Sequence, residues 1–337
     1  MRSRGRTPRA FAASALVATF AVATFVLSSR VGRVSLDGAV RDAALLEAVE
    51  ALRTARWAAA FVAGAALACA GVVVQGLFRN PLASPSVLGT TAGAAFAGQA
   101  ALALPTLLGI PLRSDVGEVV YPIACVLGAL GSLGFLLLFA RRGAGRVALL
   151  LIGFVLTSLL GAAGSLLLVA AQERFELGRA VVAYALGGVG GTSLERVLSL
   201  GPLVAAGLLA AMAWAPTLDV LLSGEDEAAS LGVDVRSARR WLVTWTAVLS
   251  GTAVALGGQV AFVGLLVPHA VRLLLGARHR ALLVVASVAG GTFLVGCDLV
   301  ARLVPLRSEL PLGVVTGVLG APVFLALLWR EREHLDA

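Results

Sequence analysis

Apolar residues along this chain come in uninterrupted runs, and nearly all charged residues fall in short clusters between them. Runs of about 17 to 25 residues are what an α-helix needs to cross a ~30 Å hydrocarbon core. In lipid the backbone has no partner but itself, so such runs fold as helices. The pattern predicts an all-α, polytopic integral membrane protein with about ten spans, at 10–28, 57–77, 86–107, 119–140, 147–171, 197–215, 241–258, 261–275, 281–301 and 312–329. The stretch from Trp241 to Leu275 is too long for one helix. Gly257-Gly258 is the natural place for a tight turn within it, which leaves the eighth span short. The first run follows Arg2, Arg4, Arg6 and Arg9. A cleaved signal would begin the same way, but no convincing A-x-A site follows, and the run is kept as a span.

Composition agrees with this pattern: 59% of the 337 residues are hydrophobic and only 14% charged, a balance suited to lipid. No polar stretch is long enough for a soluble domain, so residues 1–337 read as one transmembrane domain. The net charge of +8 is carried entirely by Arg. Short loops such as Arg141-Arg142 with Arg146, and Arg278-His279-Arg280, fit the positive-inside bias when both termini are cytoplasmic. The basic balance therefore reads as topology in a cell membrane, with lipid and not nucleic acid as the partner. Absence of lysine excludes a Walker A loop, a Schiff base and a Ser-Lys dyad. Cys69, Cys125 and Cys297 each stand singly inside apolar runs, as small buried hydrophobes do. No metalloprotease, nucleophile-elbow or EF-hand motif occurs, and neither a metal nor a cofactor is expected.

Three polar segments are long enough to fold locally. Residues 30–56, expected outside, contain an amphipathic stretch at Leu45-Leu-Glu-Ala-Val49, suited to lie along the membrane surface. Residues 172–196, also expected outside, carry a short helical piece and the hinge-like run Leu186-Gly-Gly-Val-Gly-Gly191. Residues 216–240 face the cytoplasm in this topology. There, Leu222-Ser-Gly-Glu-Asp-Glu-Ala-Ala-Ser-Leu-Gly-Val233 predicts a short helix within 218–233. Glu225 to Glu227 sit favourably at its positive end, Gly232 ends it, and its small-residue face is built to dock into a partner. Glycines at small-residue spacing, such as Gly128, Gly131 and Gly134 or Gly153, Gly161 and Gly164, suit close helix packing. Asp298 is the one strong candidate for an acid within a span, a functional position by default. Arg302 at i+4 makes an ion pair as reasonable as a proton relay.

The second span continues as Gly64-Ala-Ala-Leu-Ala-Cys-Ala-Gly71-Val-Val-Val-Gln75-Gly-Leu-Phe-Arg-Asn80-Pro81-Leu-Ala-Ser-Pro85-Ser-Val-Leu-Gly89. Asn80 before Pro81 breaks the helix, and Gln75, one turn earlier, is placed to satisfy backbone groups left open. This stretch resembles the signature of the FecCD-type permeases, membrane subunits of importers for ferric siderophores, haem and vitamin B12. The resemblance extends to Gly224-Glu225 with Ala228 and Leu231-Gly232, and to Phe262-Val-Gly-Leu-Leu-Val-Pro268-His269-Ala-Val-Arg272. It runs on through Gly276 with His279-Arg280, Asp298 with Arg302, Glu309-Leu-Pro-Leu-Gly313, and Gly320-Ala-Pro-Val-Phe324. Where many relatives carry Trp before the Gly-rich external segment, this chain has Ala183-Tyr184.

The resemblance implies a type II ABC importer permease, a transport subunit and not an enzyme. Two such chains, identical or paralogous, would enclose a path for an iron–siderophore complex, haem or a corrinoid. A cytoplasmic ABC ATPase dimer would engage the loop at Gly224, Glu225, Ala228, Leu231 and Gly232. An extracytoplasmic substrate-binding protein would dock on Arg53, Arg56 and Arg302, whose planar guanidinium forks pair with carboxylates. Gln75, Asn80, Pro81, Pro268, His269 and Asp298 belong to the structural blocks. The rival reading is an ion-coupled secondary transporter using Asp298.

Overall fold

The computed structural model describes residues 6–31, 43–110, 114–141, 146–305 and 309–335. Of the arginines named above, Arg2, Arg4 and Arg142 lie outside them. Among the described residues there are thirteen α-helices, one 3-10 turn and no strand. In chain order the helices are α1 (Arg6–Arg30), α2 (Ala43–Phe78), α3 (Thr90–Leu107), α4 (Ser114–Arg141), α5 (Arg146–Ala171), α6 (Phe175–Leu186) and α7 (Leu194–Ala213). They continue as α8 (Ala215–Leu221), α9 (Glu225–Ser230), α10 (Val235–Gly257), α11 (Val263–Leu275), α12 (His279–Leu303) and α13 (Leu312–Leu335).

Helices α2 and α12 form the centre. In their most apolar windows 72% and 61% of residues are buried, against 17% for α5, which is peripheral. Lipid tails are as apolar as the side chains, so close approach rather than hydrophobic burial must hold such a pair. Gly64 of α2 lies against the Gly290 carbonyl of α12, and Gly71 of α2 against the Gly264 carbonyl of α11; a methyl at Gly64 or Gly71 would overlap backbone. The glycines singled out by spacing divide. Gly128 packs on Gly93, Gly153 on the Val87 carbonyl and Gly164 on Gln99, whereas Gly131, Gly134 and Gly161 have no heavy atom within 4 Å of a Cβ position.

One expectation is overturned at α2. The amphipathic stretch at Leu45–Val49 does not lie separately on the surface; it is the first part of a single 36-residue helix. The reason is local: from Ala43 to Val62 the chain has neither Gly nor Pro and is rich in Ala, Leu and Glu, so nothing ends the helix. At 1.5 Å per residue it is about 54 Å long and projects well past one side of a ~30 Å core.

Helix α2 ends at Phe78. Arg79 takes a left-handed φ of 51°, and Asn80 Oδ1 accepts the Leu82 N–H at 2.9 Å in an Asx turn. The side chain of Gln75 does not serve this break. Its Nε2 donates instead to the Leu265 carbonyl at 3.1 Å, because Gln75 faces α11 and is only 2% exposed.

Helix α10 stops at Gly257, with Gly258 at φ 65°, and α11 begins after Phe262, itself left-handed at φ 63°. With 13 residues α11 reaches about 20 Å, short of a full crossing. Non-helical backbone at membrane depth persists only where its polar groups are satisfied or line a cavity. Here Gly257 O accepts from Gly188 N at 2.9 Å, Leu256 O from Thr192 Oγ1 at 2.9 Å, and Ala261 N donates to Thr316 Oγ1 at 3.3 Å.

Candidate functional site

The first cluster of chemistry lies where α8 and α9 meet the C-terminal end of α2 and the N-terminal end of α12. Hydrogen bonds from Gly224 N to Leu221 O (3.2 Å) and Ala228 N to Gly224 O (3.0 Å) join α8 to α9 without a slack segment. Gly224, at φ 136°, makes the turn between them, a conformation closed to other L-residues. A Schellman-like end follows, with Gly232 at φ 84° and Val233 N bonded to Ala228 O at 3.0 Å. Of the small residues of α9, Ala228 is turned toward its own bundle and fully buried, while Ala229 and Ser230 are exposed and Leu231 is 67% exposed. Glu225 pairs with Arg239 of α10 at 2.5 Å, and Asp226 and Glu227 are exposed. A partner would therefore meet Asp226, Glu227 and Leu231 and not Ala228, which anchors the loop.

Beside this loop, Asp219 of α8 reaches the start of α12. Its Oδ1 accepts the His279 backbone N–H at 2.9 Å and faces His279 Nδ1 at 2.6 Å. The His279 ring is fully buried. A Cβ on Gly76 would come 2.5 Å from His279 Nε2, so the glycine in the Gln75-Gly76 step makes room for the ring. Sequence reasoning quoted His279 only within a block and passed over Asp219. The available signal is a lone acid in the run Ala215–Leu222, whose other residues are apolar except Thr217.

The second cluster lies at the opposite end of the bundle. Arg56 Nε sits 2.9 and 3.1 Å from the two Asp298 oxygens and Arg56 Nη2 2.8 Å from Oδ1. Arg302 Nη2 takes the other oxygen at 3.0 Å. Arg56 Nη1 then reaches Glu309 at 2.7 Å. Arg302 also donates to Ser28 Oγ at 2.7 Å and Val31 O at 2.9 Å, and Arg53 to the Ser29 and Arg30 carbonyls at 3.0 and 3.2 Å. All three arginines expected to face outward are thus engaged within the chain; the side chains of Arg302 and Arg56 are 4% and 16% exposed. The sequence brought Asp298 and Arg302 together through their i+4 spacing. It missed Arg56 as their partner and Glu309 as the bridge, since neither is near Asp298 along the chain.

Between these ends runs a cavity of about 810 Å³, walled by α3, α5, the α10–α11 turn and the start of α13. Its polar lining comes from Ser84, Ser86, Thr91, Gln99, Thr157 and Gln259, with Ser165 beside them; among the described residues no charged residue, His or Cys lines it. Among the described residues no group of three or more His, Cys, Asp or Glu is placed to hold a metal ion. His269 is 3% exposed within α11, one residue after the in-helix Pro268. The three cysteines are free thiols and buried.

The chain matches the model of the FecCD transport family over residues 10–330. It is 39% identical over 271 residues to the cobalamin import system permease protein BtuC of Halobacterium salinarum, covering 80% of this chain and 70% of that one. It is 36% identical over 284 residues to the hemin transport system permease protein HmuU of Yersinia pestis, covering 84% and 83%. Among solved structures it is similar to a metal-chelate type ABC transporter in an inward-facing conformation, with a TM-score of 0.81, 30% identity and coverage of 94% and 98%. With nearly the whole chain matched in both sequence and fold, this protein belongs to the FecCD transport family, the multi-pass membrane permeases of ABC importers.

Proposed function

We propose that this permease carries a metal chelate, of the iron–siderophore, haem or corrinoid class, from a substrate-binding protein to the cytoplasm. One observation carries the reading: an 810 Å³ cavity in the spanning region whose lining, among the described residues, has no charged side chain, His or Cys. A bare transition-metal ion is held by imidazole, thiolate or carboxylate donors. A chelate brings its own donors and needs only a wide wall with scattered hydroxyl and amide groups. The volume is within the ~300–1,000 Å³ typical of small-molecule sites, and a second permease chain against α5 would complete the path. In this arrangement α9 and both termini lie in the cytoplasm, where α9 presents Asp226, Glu227 and Leu231 to the ATPase dimer. The binding protein docks at the opposite end. There Arg56, the less enclosed member of the Asp298 ion-pair cluster, exchanges Glu309 for a partner carboxylate, and Arg53 and Arg302 brace the surface from within.

Ion coupling through Asp298 is disfavoured by the same cluster, since three guanidinium nitrogen atoms already occupy both carboxylate oxygens. The test is uptake of radiolabelled cyanocobalamin, haemin and a ferric hydroxamate into liposomes containing the permease, its ATPase and its binding protein. Uptake of one chelate that requires ATP and survives a protonophore is expected. Uptake that needs no ATP and collapses with the proton gradient would overturn the assignment.

A further inference from the structure

The contact between Asp219 and His279 is too specific for a loop that merely touches its bundle. A backbone N–H at the first position of a helix has no partner within that helix. For α12 that donor is satisfied from another element, by Asp219 of α8 at 2.9 Å, and the same oxygen holds the imidazole Nδ1 at 2.6 Å. A carboxylate at this end also favours the helix dipole. His279 is boxed in: Gly76 of α2 lies beneath Nε2 and Leu218 of α8 lies against the same spot. Three elements therefore share one buried imidazole.

What lies on each side of this joint gives it a direction. On one side, α8 runs into α9 through hydrogen-bonded turns, which tie a shift of α9 to Asp219 near the end of α8. On the other, α12 is one unbroken helix of 25 residues, about 37 Å, ending at the Asp298–Arg302–Arg56 cluster. Its glycine contact with α2 at Gly64 and Gly290 brings the two backbones into direct contact, the arrangement expected of helices that act as a pair. Helix α10, the covalent continuation of α9, also packs along α2 but stops at the Gly257-Gly258 turn within the bundle, whereas α12 runs on to the cluster itself.

We propose that Asp219 and His279 form a rigid clasp that transmits displacement of α9 to the α2–α12 pair and so to the ion-pair cluster at the far end. The inference rests on the assignment of α9 as the ATPase-contacting element, and makes Asp219 and His279 positioning residues. The clasp holds its geometry throughout the cycle, while the far end of α12 moves.

The test uses the assembled transporter with a reporter thiol at Leu303→Cys, an exposed position at the far end of α12, on a background of three buried native cysteines. Labelling of the reporter is followed before and after vanadate trapping of ATP. With the clasp intact the labelling rate should change at least fivefold. Asp219→Ala should abolish the change, and Asp219→Asn, which keeps an acceptor oxygen for His279, should restore it. Gly76→Ala, which drives a methyl into the imidazole, should reproduce the loss. A full response in Asp219→Ala, no response with the clasp intact, or Asn behaving as Ala would each overturn the clasp. Separately, Leu231→Cys should cross-link to the ATPase. Failure of that cross-link rejects the α9 assignment, whereas a cross-link with an unaltered response in Asp219→Ala rejects the clasp alone.

Discussion

Removing Arg56 should destabilise this protein far more than removing Glu309, although the two are bonded to each other. Arg56 contacts Asp298 at 2.8 to 3.1 Å through Nε and Nη2. The Asp298 side chain is 2% exposed, and water cannot replace what Arg56 supplies. Hydrogen bonds to charged groups contribute about 1.5–3 kcal/mol each, and breaking a buried pair by deleting one partner costs about 3–5 kcal/mol. Arg302 remains at 3.0 Å and leaves the site with one positive partner, so the low end, about 3 kcal/mol, applies to Arg56→Ala. Glu309 is 38% exposed and its loss frees Arg56 to keep both Asp298 contacts; an exposed pair of that kind is worth about 0–1 kcal/mol. At roughly 2 °C per kcal/mol for a chain of this size, thermal unfolding in detergent should fall by about 6 °C for Arg56→Ala and by no more than about 2 °C for Glu309→Ala. Equal shifts for the two variants would refute the view that Asp298, and not the rim carboxylate, is what Arg56 stabilises.

Other consequences are open to direct measurement. Gly64→Leu and Gly71→Leu should prevent a folded α2–α11–α12 core, since a side chain at either position overlaps backbone of the facing helix. Gel filtration after mild solubilisation would show aggregation, against a monodisperse Gly131→Leu control with open space at its Cβ. Gln75→Leu removes one hydrogen bond to Leu265 O, and also a buried Oε1 with no partner, so its net cost should stay near about 1 kcal/mol. Gln75→Glu buries a charge in the same place and should cost several times more, with both read from thermal unfolding. Leu231→Ala should lower ATP-driven uptake several-fold at normal permease abundance, whereas Ala228→Leu should reduce the amount of folded permease, because position 228 has no room. Normal abundance of the Ala228 variant would contradict the inward orientation of that face.

Length and apolarity were enough to read the helical class, because the bilayer admits so few alternatives. The resemblance to the FecCD-type permeases then supplied an ordered set of candidate positions along the chain. Facing directions were less legible. Ala228 and Leu231 sit three apart at the end of the same short helix, yet one is enclosed and the other presented, since the loop folds back on α8 and α10. Arginines at the edge of an apolar run look like surface groups in one dimension. Arg53 and Arg302 turn instead toward backbone carbonyls and a hydroxyl at the end of α1, a segment far away in sequence. The continuation of α2 back to Ala43 is written in the absence of any breaker, although the amphipathic look of Leu45–Val49 suits a stretch along the membrane surface.

The two glycine crossings and the two polar clusters answer one mechanical requirement. A bundle surrounded by lipid gains little from hydrophobic association, so a helix pair that must move as a unit needs backbone contact and fixed polar ends. Helices α2 and α12 have both: glycine contact at mid-length through Gly64 and Gly290, Arg56 on Asp298 at one end, and the His279 ring seated over Gly76 at the other. Helix α5, with 17% of its window buried, touches its neighbours closely at Gly153 and Gly164 but has no ion pair among its described residues, which suits a peripheral wall of the bundle. Division into a stiff transmitting pair and a peripheral wall predicts a gradient in native-state hydrogen exchange. Amides of α2 and α12 between Gly64 and Gly71 and between Leu282 and Leu294 should be the slowest in the protein. Those of α5 from Leu151 to Ala171 should exchange at least tenfold faster in detergent. Uniform protection across the three helices would remove the basis for assigning them different mechanical roles.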